Sequence, residues 1–471
     1  MPAPPARVKE PFYYDEKKIA AVIRKLGKAR APGCSGWTYE LLQAAMINET
    51  CKAGICLLIN LIANGQLSSA CAEMLLATRD VPIAKRSAGV RPLGIGECFY
   101  RVAAKLVCGR IADKYGKVCE NLQFAVGVAG GAQTALHLMQ SAIDDKSAKR
   151  CLLMFDADDA FQNVHSQSVL SQAFQHDELE PAWRMWHWSL SRDAPVFVTT
   201  REGVVGQWFR RTGVPQGCPL GMAGFALGFQ PVVKAVHTVA ATDKGRAFAF
   251  ADNLNAIVTP ARVQSVVEAA ESEGDKHGVR FNLTKATLLW PHEEPLDPAV
   301  RAYAESRGIR IAYKATELLG AAIGSDEAEL TKICMNKNAN LRELFAKLES
   351  ADDLTCQEAF ALIHSSNMVH VLRSCTPAVT RSAAIEFDSL RENAFQKLAN
   401  LHQLSDKQRD QLRARFRHGG FGLASAEQTG RLRLHRRARP RCAAAQALQL
   451  HRLGISDQRD QRRAHLCSKN S

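Results

Sequence analysis

The chain has 471 residues, of which 46% are hydrophobic and 23% are charged, so it can bury an ordinary core and is neither a disordered polymer nor a fibre. Its 61 Lys and Arg residues outnumber its 47 Asp and Glu residues, which gives a formal net charge of +14. No apolar run approaches the ~20 residues that a membrane helix requires, so a membrane-spanning protein is excluded.

The Cys residues and the N-terminus indicate the cellular compartment. Fourteen Cys are scattered along the chain without a C-x-x-C pair, so neither a zinc site nor a disulfide framework is indicated. Reduced, mostly buried thiols are the simpler interpretation. The first residues contain no apolar segment of the kind found in secretory signals. We therefore expect a nuclear or cytoplasmic protein.

The first 150 residues are mainly helical in pattern, with one pair of short strands. A helix is predicted from Asp15, because apolar residues recur at spacings of three and four up to a breaker-rich segment at 29–36. Two strands, Thr78–Ala84 and Val90–Ile95, then flank a basic turn and form a predicted hairpin. Further helices are predicted at 38–46, 53–64, 97–112 and 132–143.

Strands alternate with helices through the middle of the chain. Cys151–Phe155 is a continuous apolar run that ends in acidic residues, as expected for a buried strand. Other predicted elements are strands at 196–200, 208–212, 247–250 and 254–258 and a helix at 222–239. From about 328 to 416 the pattern is almost wholly helical. An α+β fold, with a sheet flanked by helices and a separate helical bundle, is therefore predicted.

Acidic residues follow two of these strands at widely separated positions. Asp156, Asp158 and Asp159 come directly after the Cys151–Phe155 run, and Asp252 lies between the strands at 247–250 and 254–258. Carboxylates that share a site repel one another unless a cation neutralises them, and Mg²⁺ prefers oxygen ligands of this kind. Two such ions could stabilise an in-line phosphoryl transfer. On the carboxylates alone, turn or helix-capping residues are the commoner interpretation.

A series of short motifs in a fixed order favours the metal interpretation. The series is Ala31-Pro-Gly-Cys-Ser-Gly36, Val81-Pro-Ile-Ala-Lys85-Arg86, Gly89-Val-Arg91-Pro-Leu, the Asp156 strand, Gly213-Val-Pro-Gln216-Gly217-Cys-Pro, Phe250-Ala-Asp252, Gly278–Leu289 and Glu317-Leu-Leu-Gly320. In this order the motifs resemble those of reverse transcriptases from non-LTR retrotransposons of protist type. The resemblance covers residues 28–326 and continues faintly through His418–Leu423.

The resemblance implies a right-hand polymerase and a division of the chain into four segments. Residues 1–77 would be an N-terminal helical extension, and residues 78–326 the fingers and palm of the reverse transcriptase core, with an antiparallel sheet flanked by helices. Residues 327–430 would form an α-helical thumb or connection. Residues 431–471, with ten Arg and one Lys against two Asp, would be a basic and disordered tail.

The same resemblance implies roles for the residues that would meet metal and nucleotide. Asp156 and Asp252 would hold two Mg²⁺ ions, with Mn²⁺ as an alternative, and Lys85 and Arg91 would contact the triphosphate. Phe161 would lie beneath the incoming sugar and exclude a ribose hydroxyl. Each basic residue could instead be a solvated surface charge, and Phe161 could instead be an ordinary core aromatic.

Other residues would contact the template and primer. Gln216 and Gly217 resemble the loop beside the nascent base pair, where Gly allows close backbone approach and Gln can form hydrogen bonds. Leu318, Leu319 and Gly320 resemble the primer grip. Lys285 is a candidate general acid for pyrophosphate release, with a structural ion pair as the alternative.

Asn253 departs from the family pattern, which usually has a second Asp at this position. The neutral amide removes one negative charge from the predicted metal site, so we expect weak or Mn²⁺-dependent activity that Asn253→Asp increases.

The function implied is RNA-directed DNA synthesis in retrotransposition. An RNA template, a DNA primer and deoxynucleoside triphosphates would be the partners. A catalytically impaired relic that binds nucleic acid without efficient polymerisation is the alternative. The basic tail is either a nucleic-acid-binding or nuclear-import arm or the product of a shifted reading frame.

Overall fold

The computed structural model describes residues 1–5, 10–84, 89–145, 147–349 and 355–430, apart from the side chains of residues 91 and 349. Contacts divide these residues into two compact units. The first contains Met1–Ala132, Cys151–Leu288 and Leu296–Ile311. The second contains Gln133–Arg150, Leu289–Pro295 and the described residues from Ala312 onward. The four-segment division drawn from the sequence stays a prediction, and its basic tail lies outside the described residues.

The elements follow the predicted order closely. The strands are β1 Thr78–Ala84, β2 Val90–Gly96, β3 Cys151–Asp158, β4 Ala194–Thr200, β5 Gly203–Arg210, β6 Arg246–Phe250, β7 Asn253–Val258, β8 Arg280–Phe281, β9 Thr287–Trp290, β10 Arg310–Tyr313, β11 Ala315–Leu318 and β12 Ala321–Gly324. The helices are α1 Glu16–Arg24, α2 Tyr39–Ala45, α3 Glu49–Ala63, α4 Ser69–Leu76, α5 Cys98–Ile111, α6 Tyr115–Val118, α7 Gly131–Asp144, α8 Ala160–Asn163, α9 Ser166–Ala173, α10 Glu180–Leu190, α11 Gly221–Ala241, α12 Val263–His277, α13 Pro298–Ser306, α14 Glu327–Asn336, α15 Ala339–Glu349, α16 Cys356–Ser365, α17 Val369–Ser374, α18 Pro377–Leu398 and α19 Asp406–Arg413. The α+β class is confirmed.

Helices precede the first strand, as the periodicity predicts. Asp15 caps α1 by accepting a hydrogen bond from the Lys18 N–H, and the apolar stripe of α1 buries Ile19 and Ile23. After α1 the chain turns through the breaker-rich segment, where the Ser35 N–H donates to Glu97 Oε1 over 2.8 Å. Glu97 is only 2% exposed, so this bond satisfies a buried carboxylate and holds the segment in place.

Two sheets organise the first unit. The four-stranded sheet has the order β2-β1-β4-β5, with β1 and β4 parallel and the outer pairs antiparallel. In the second sheet β3 pairs with β7 and β7 with β6, both antiparallel, and β8 pairs with the end of β3. α11 packs against β6, α9 and α12. This arrangement places the C-terminal end of β3 beside the first residue of β7, Asn253.

One strand prediction is wrong in its bounds. The sequence suggested a strand at 208–212 with Gly203 and Gly206 in the turn, whereas β5 runs from Gly203 to Arg210 and both glycines pair with β4. The strands are longer than predicted because Arg201 and Glu202 alone form the turn, so neither glycine is needed there. An irregularity between Val198 and Thr199 absorbs the change in register.

The second unit is largely helical. Its core joins Phe345, Ile363, Phe395, Leu404, Leu412 and Leu423. The side chain of Gln140 on α7 donates to the carbonyl of Gly324 and accepts from its N–H, so it caps the end of the β11–β12 hairpin. No helix in the described part of the chain combines the length and the apolar character needed to cross a bilayer.

Candidate active site

The alternation of β3 exposes two carboxylates on one face. Phe155 and Ala157 are 2% and 5% exposed, whereas the side chains of Asp156 and Asp158 are 43% and 44% exposed. Because successive strand residues point to opposite faces, the two acids lie on the same side of the sheet. Five buried residues before them, Cys151–Phe155, anchor the strand in the core.

The β3–β7 register brings Asp156 next to the second acidic motif. Asp156 lies directly opposite Asn253, so these two side chains share a face. Asp252 precedes Asn253 in the tight turn between β6 and β7, and the Asn253 amide donates a hydrogen bond to Asp252 Oδ1 over 3.2 Å. Distant acidic motifs therefore meet at one end of the sheet.

Lys285 contacts the carboxylates of β3. Its ammonium lies 2.7 Å from Asp158 Oδ1 and 3.8 Å from Asp156 Oδ2. The backbone assists, since the Asn282 N–H donates to the Asp156 carbonyl over 3.1 Å. The hydrogen bond to Asp158 raises the pKa of Lys285. Asp158 is thus an ion-pair partner, a role that its place in the sequence does not indicate.

The oxygen donors at this point fit a divalent cation. Asp156 and Asp252 offer carboxylates and Asn253 an amide oxygen, which are the hard ligands that Mg²⁺ accepts. Within the described residues, no three His, Cys, Asp or Glu side chains form a metal-binding group. Asn253 lies opposite Asp156 and donates to Asp252, so it places an amide, not a carboxylate, beside both acids. The ammonium of Lys285, 3.8 Å from Asp156 Oδ2, already gives this carboxylate one positively charged neighbour.

The loop at 213–217 is tied to the segment that carries Phe161. The Val214 N–H donates to the Phe161 carbonyl over 2.7 Å, and the Gly213 N–H donates to the Val164 carbonyl over 3.0 Å. Gly213 has φ +77°, and a Cβ there would lie 2.4 Å from the Gln162 carbonyl oxygen. Only glycine permits this approach.

Phe161, Gln216 and Gly217 are brought together by that loop. The Phe161 ring is partly buried and stacks on Phe225 of α11, with ring centroids 4.9 Å apart. The Gln162 amide donates to Gln216 Oε1 over 3.4 Å. Gly217 has φ +101°, and a Cβ there would meet the Gly94 carbonyl at 2.9 Å, so the loop also contacts β2.

A cavity of about 480 Å³ opens between this loop and the four-stranded sheet. Asp159 and Gln216 line one side, and Asp80 and Arg210 line the sheet side. Burial raises the pKa of Asp80 and lowers that of Arg210. Sequence reasoning missed both residues, because neither lies in a recognisable motif and only the strand pairing turns them toward the cavity.

The predicted triphosphate contacts lie largely outside the described residues. Lys85 is outside them, and of Arg91 only the backbone is described, in β2 opposite Ile83. Their role stays a prediction.

The predicted primer-grip residues form the tip of the β11–β12 hairpin in the second unit. Leu318 pairs with Ala321, and the two turn residues Leu319 and Gly320 have φ +46° and φ +79°. His370 of α17 donates from Nε2 to the Leu319 carbonyl over 2.7 Å. Sequence reasoning did not identify His370, because it lies in no motif and its partner is 51 residues away in the sequence.

Comparison with known proteins gives one curated relative and a set of solved structures. The Retrotransposable element SLACS 132 kDa protein of Trypanosoma brucei gambiense is 24% identical over 290 residues, which is 61% of this chain and 24% of that protein. The chain therefore spans about a quarter of the length of this relative.

Two telomerase structures are similar to the chain. The structure of telomerase from Candida albicans in complex with a telomeric RNA fragment has a TM-score of 0.43 and 9% identity, covering 73% of this chain and 58% of that one. The apo telomerase of Candida tropicalis has a TM-score of 0.38 and 12% identity, covering 53% and 54%.

The family model for reverse transcriptase (RNA-dependent DNA polymerase) matches residues 83–321, half of the chain. The match includes both acidic motifs, the 213–217 loop and Lys285, and the α+β fold with antiparallel-rich sheets is that of a right-hand polymerase. The family generally uses divalent metal ions. The chain belongs to the reverse transcriptase (RNA-dependent DNA polymerase) family.

Proposed function

We propose that the chain adds deoxynucleotides to a DNA 3′ end on an RNA template in the course of non-LTR retrotransposition. The observation that carries the proposal is the pairing of Asp156 with Asn253 across β3 and β7, which brings Asp252 to the same end of the sheet. The similarity to the SLACS element protein supports the link to retrotransposition. Because the primer would be DNA, we also propose that the chain acts in the nucleus, after import from the cytoplasm.

Asp156, Asp252 and the amide oxygen of Asn253 would hold Mg²⁺ or Mn²⁺. Two such ions would neutralise charge on the attacking and leaving oxygens of an in-line displacement. The protein itself would then act by positioning rather than by covalent participation. Lys285 already donates to Asp158, and this ammonium is close enough to Asp156 to balance carboxylate charge before substrate arrives.

The neighbouring residues would select and seat the nucleotide. Phe161 would meet the sugar, because its ring is only partly buried and its stacking on Phe225 fixes it in one plane. Gln216 and Gly217 would flank the nascent base pair, since their loop is held to both Phe161 and β2. Lys85 and Arg91 would bind the triphosphate, and the Leu318–Gly320 turn would press on the primer.

A second candidate function rests on Asn253. With one carboxylate fewer, the chain could bind template and primer without efficient polymerisation. The two candidates share nucleic-acid binding and differ only in the chemistry at the carboxylates.

Incorporation of a single deoxynucleotide separates the two candidates. The assay uses the full chain, a labelled DNA primer on an RNA template, and Mg²⁺ or Mn²⁺ against a chelator. Asp156→Asn should abolish incorporation, whereas Asp275→Asn, which changes an exposed Asp on α12, should leave it intact. Primer–template binding without incorporation in either metal would favour the second candidate. Incorporation that survives Asp156→Asn would contradict the proposed site.

A further inference from the structure

Two buried cysteines of the second unit lie against the same strand of the β11–β12 hairpin. Cys334 is 1% exposed and is the most deeply buried residue of α14. Cys375 ends α17 and is 9% exposed, and its thiol donates to the Ala322 carbonyl of β12 over 3.5 Å. Because α14 and α17 both pack on β12, the fold brings together two thiols that are distant in the sequence.

The two thiols interact directly, and the interaction favours the thiolate of Cys375. The Cys334 thiol donates to the Cys375 sulfur, which lowers the pKa of Cys375 and raises that of Cys334. The ammonium of Lys337, which is paired with Glu317, also lowers the pKa of Cys375. Because the thiolate is the reactive form of cysteine, Cys375 is the nucleophile of the pair.

Burial acts on thiols of the first unit in the opposite direction. It raises the pKa of Cys98 to about 11 and that of Cys119 to about 12, which keeps both thiols protonated and unreactive. Cys375 differs because a second thiol and an ammonium lie beside it. A reactive cysteine with a second cysteine in contact is the arrangement that turns an oxidised thiol into a disulfide.

We propose that Cys334 and Cys375 are a peroxide-sensitive pair that forms a disulfide joining α14 to α17 beside β12. The Cys375 thiolate attacks one oxygen of hydrogen peroxide, the O–O bond breaks, and Cys375 becomes a sulfenic acid as hydroxide leaves. The Cys334 sulfur then attacks the Cys375 sulfur, and the sulfenic oxygen leaves as water. The two thiols are oxidised to one disulfide, the peroxide is reduced to two water molecules, and these waters carry the two thiol protons.

The disulfide changes how the hairpin is held. In the reduced protein the Cys375 thiol donates to the Ala322 carbonyl, whereas a disulfide sulfur has no hydrogen to donate. The bond from His370 of α17 to the Leu319 carbonyl at the hairpin tip does not involve either sulfur. Oxidation therefore removes a hydrogen bond behind the hairpin. The inference does not depend on the proposed function, because it concerns only thiols of the second unit.

Peptide mapping after peroxide treatment tests the inference. The full chain is treated with hydrogen peroxide, the remaining thiols are blocked with N-ethylmaleimide in denaturant, and trypsin then releases residues 333–337 and 374–381. These two peptides should be linked about tenfold more often than any other pair of cysteine peptides, and reductant should separate them. Chain that is unfolded in urea before the peroxide is added should lose this preference, because the fold holds the two thiols together.

Variants test the order of the two steps. Cys334→Ser should stop the reaction at the sulfenic acid of Cys375, which dimedone captures, whereas Cys356→Ser, which removes an exposed thiol of the same unit, should leave the linked pair unchanged. Dimedone on Cys334 in the Cys375→Ser variant, with none on Cys375 in Cys334→Ser, would overturn the assignment of the nucleophile.

The wild type alone is sufficient to refute the inference, even if a variant fails to fold. Peptides 333–337 and 374–381 that carry only N-ethylmaleimide after peroxide treatment would overturn it, as would an equal yield of the linked pair from native and unfolded chain. A linked pair that forms only in the native chain supports it, whether or not the chain incorporates nucleotides.

Discussion

Asn253→Asp tests how the carboxylates and the metal depend on each other. In the present chain the Asn253 amide donates to Asp252 Oδ1 over 3.2 Å, and both side chains are partly buried. The substitution replaces this donor with a third carboxylate. Without metal, the variant loses a hydrogen bond to a charged acceptor and gains a like-charge contact.

The cost and the gain can both be estimated from these contacts. A hydrogen bond to a charged group contributes ~1.5 kcal/mol at the low end that partial exposure suggests. Repulsion between carboxylates at this distance adds about 1 kcal/mol in surroundings close to water. The free energy of unfolding in chelator should therefore fall by about 2.5 kcal/mol. Added Mg²⁺ should restore it, because an ion that binds only the folded state stabilises that state.

Two measurements test the expected changes in stability and in incorporation rate. Denaturant unfolding with and without Mg²⁺ reports the stability, and single-turnover incorporation of one deoxynucleotide reports the rate, which should rise by about tenfold or more. Asn367→Asp is the matched control, since its amide also donates a 3.2 Å hydrogen bond, to the Ser365 carbonyl, in the second unit. Equal rates for wild type and Asn253→Asp, or a stability change that ignores Mg²⁺, would refute the reasoning.

Three further substitutions test separate contacts. Lys285→Met should tighten Mn²⁺ binding about fivefold, because an ammonium 3.8 Å from Asp156 opposes a cation by about 1 kcal/mol in water. Electron paramagnetic resonance measures the affinity, and an unchanged affinity would contradict this reasoning. Gly213→Ala should lower the free energy of unfolding by ~2 kcal/mol or more, whereas Gly54→Ala, whose Cβ meets nothing within 4 Å, should not. His370→Phe removes the hydrogen bond to the Leu319 carbonyl at the tip of the β11–β12 hairpin. It should raise KM for primer–template about fivefold with little change in kcat. A change in kcat alone would argue against a positioning role.

The parts of the site that lie within strands were predictable from the sequence. Cys151–Phe155 is apolar throughout and ends in acids, which indicates a buried strand whose end meets solvent, and β3 has this form. The hairpin around Asp252 follows from two short apolar runs that flank a two-residue turn. Local pattern is sufficient in these places because neighbouring residues determine the structure.

Contacts between distant segments were not predictable in this way. The ion pair of Lys285 with Asp158 joins residues that are 127 positions apart in the sequence. Nothing in the residues around either side chain indicates which partner it will have. Arg210 was expected within a strand at 208–212 but instead ends β5 and turns under the 213–217 loop. Which polar groups become partners depends on strand register, and register is set by the packing of whole sheets.

Anomalous scattering from crystals of the full chain grown with Mn²⁺ would test the central claim most directly. The claim is that Asp156 of β3 and Asp252, in the turn directly before the neighbouring strand β7, hold the same divalent cation. We expect a Mn²⁺ peak within ~2.5 Å of a carboxylate oxygen from each of these residues. A peak at one carboxylate alone, or carboxylates that point to opposite faces of the sheet, would contradict the claim.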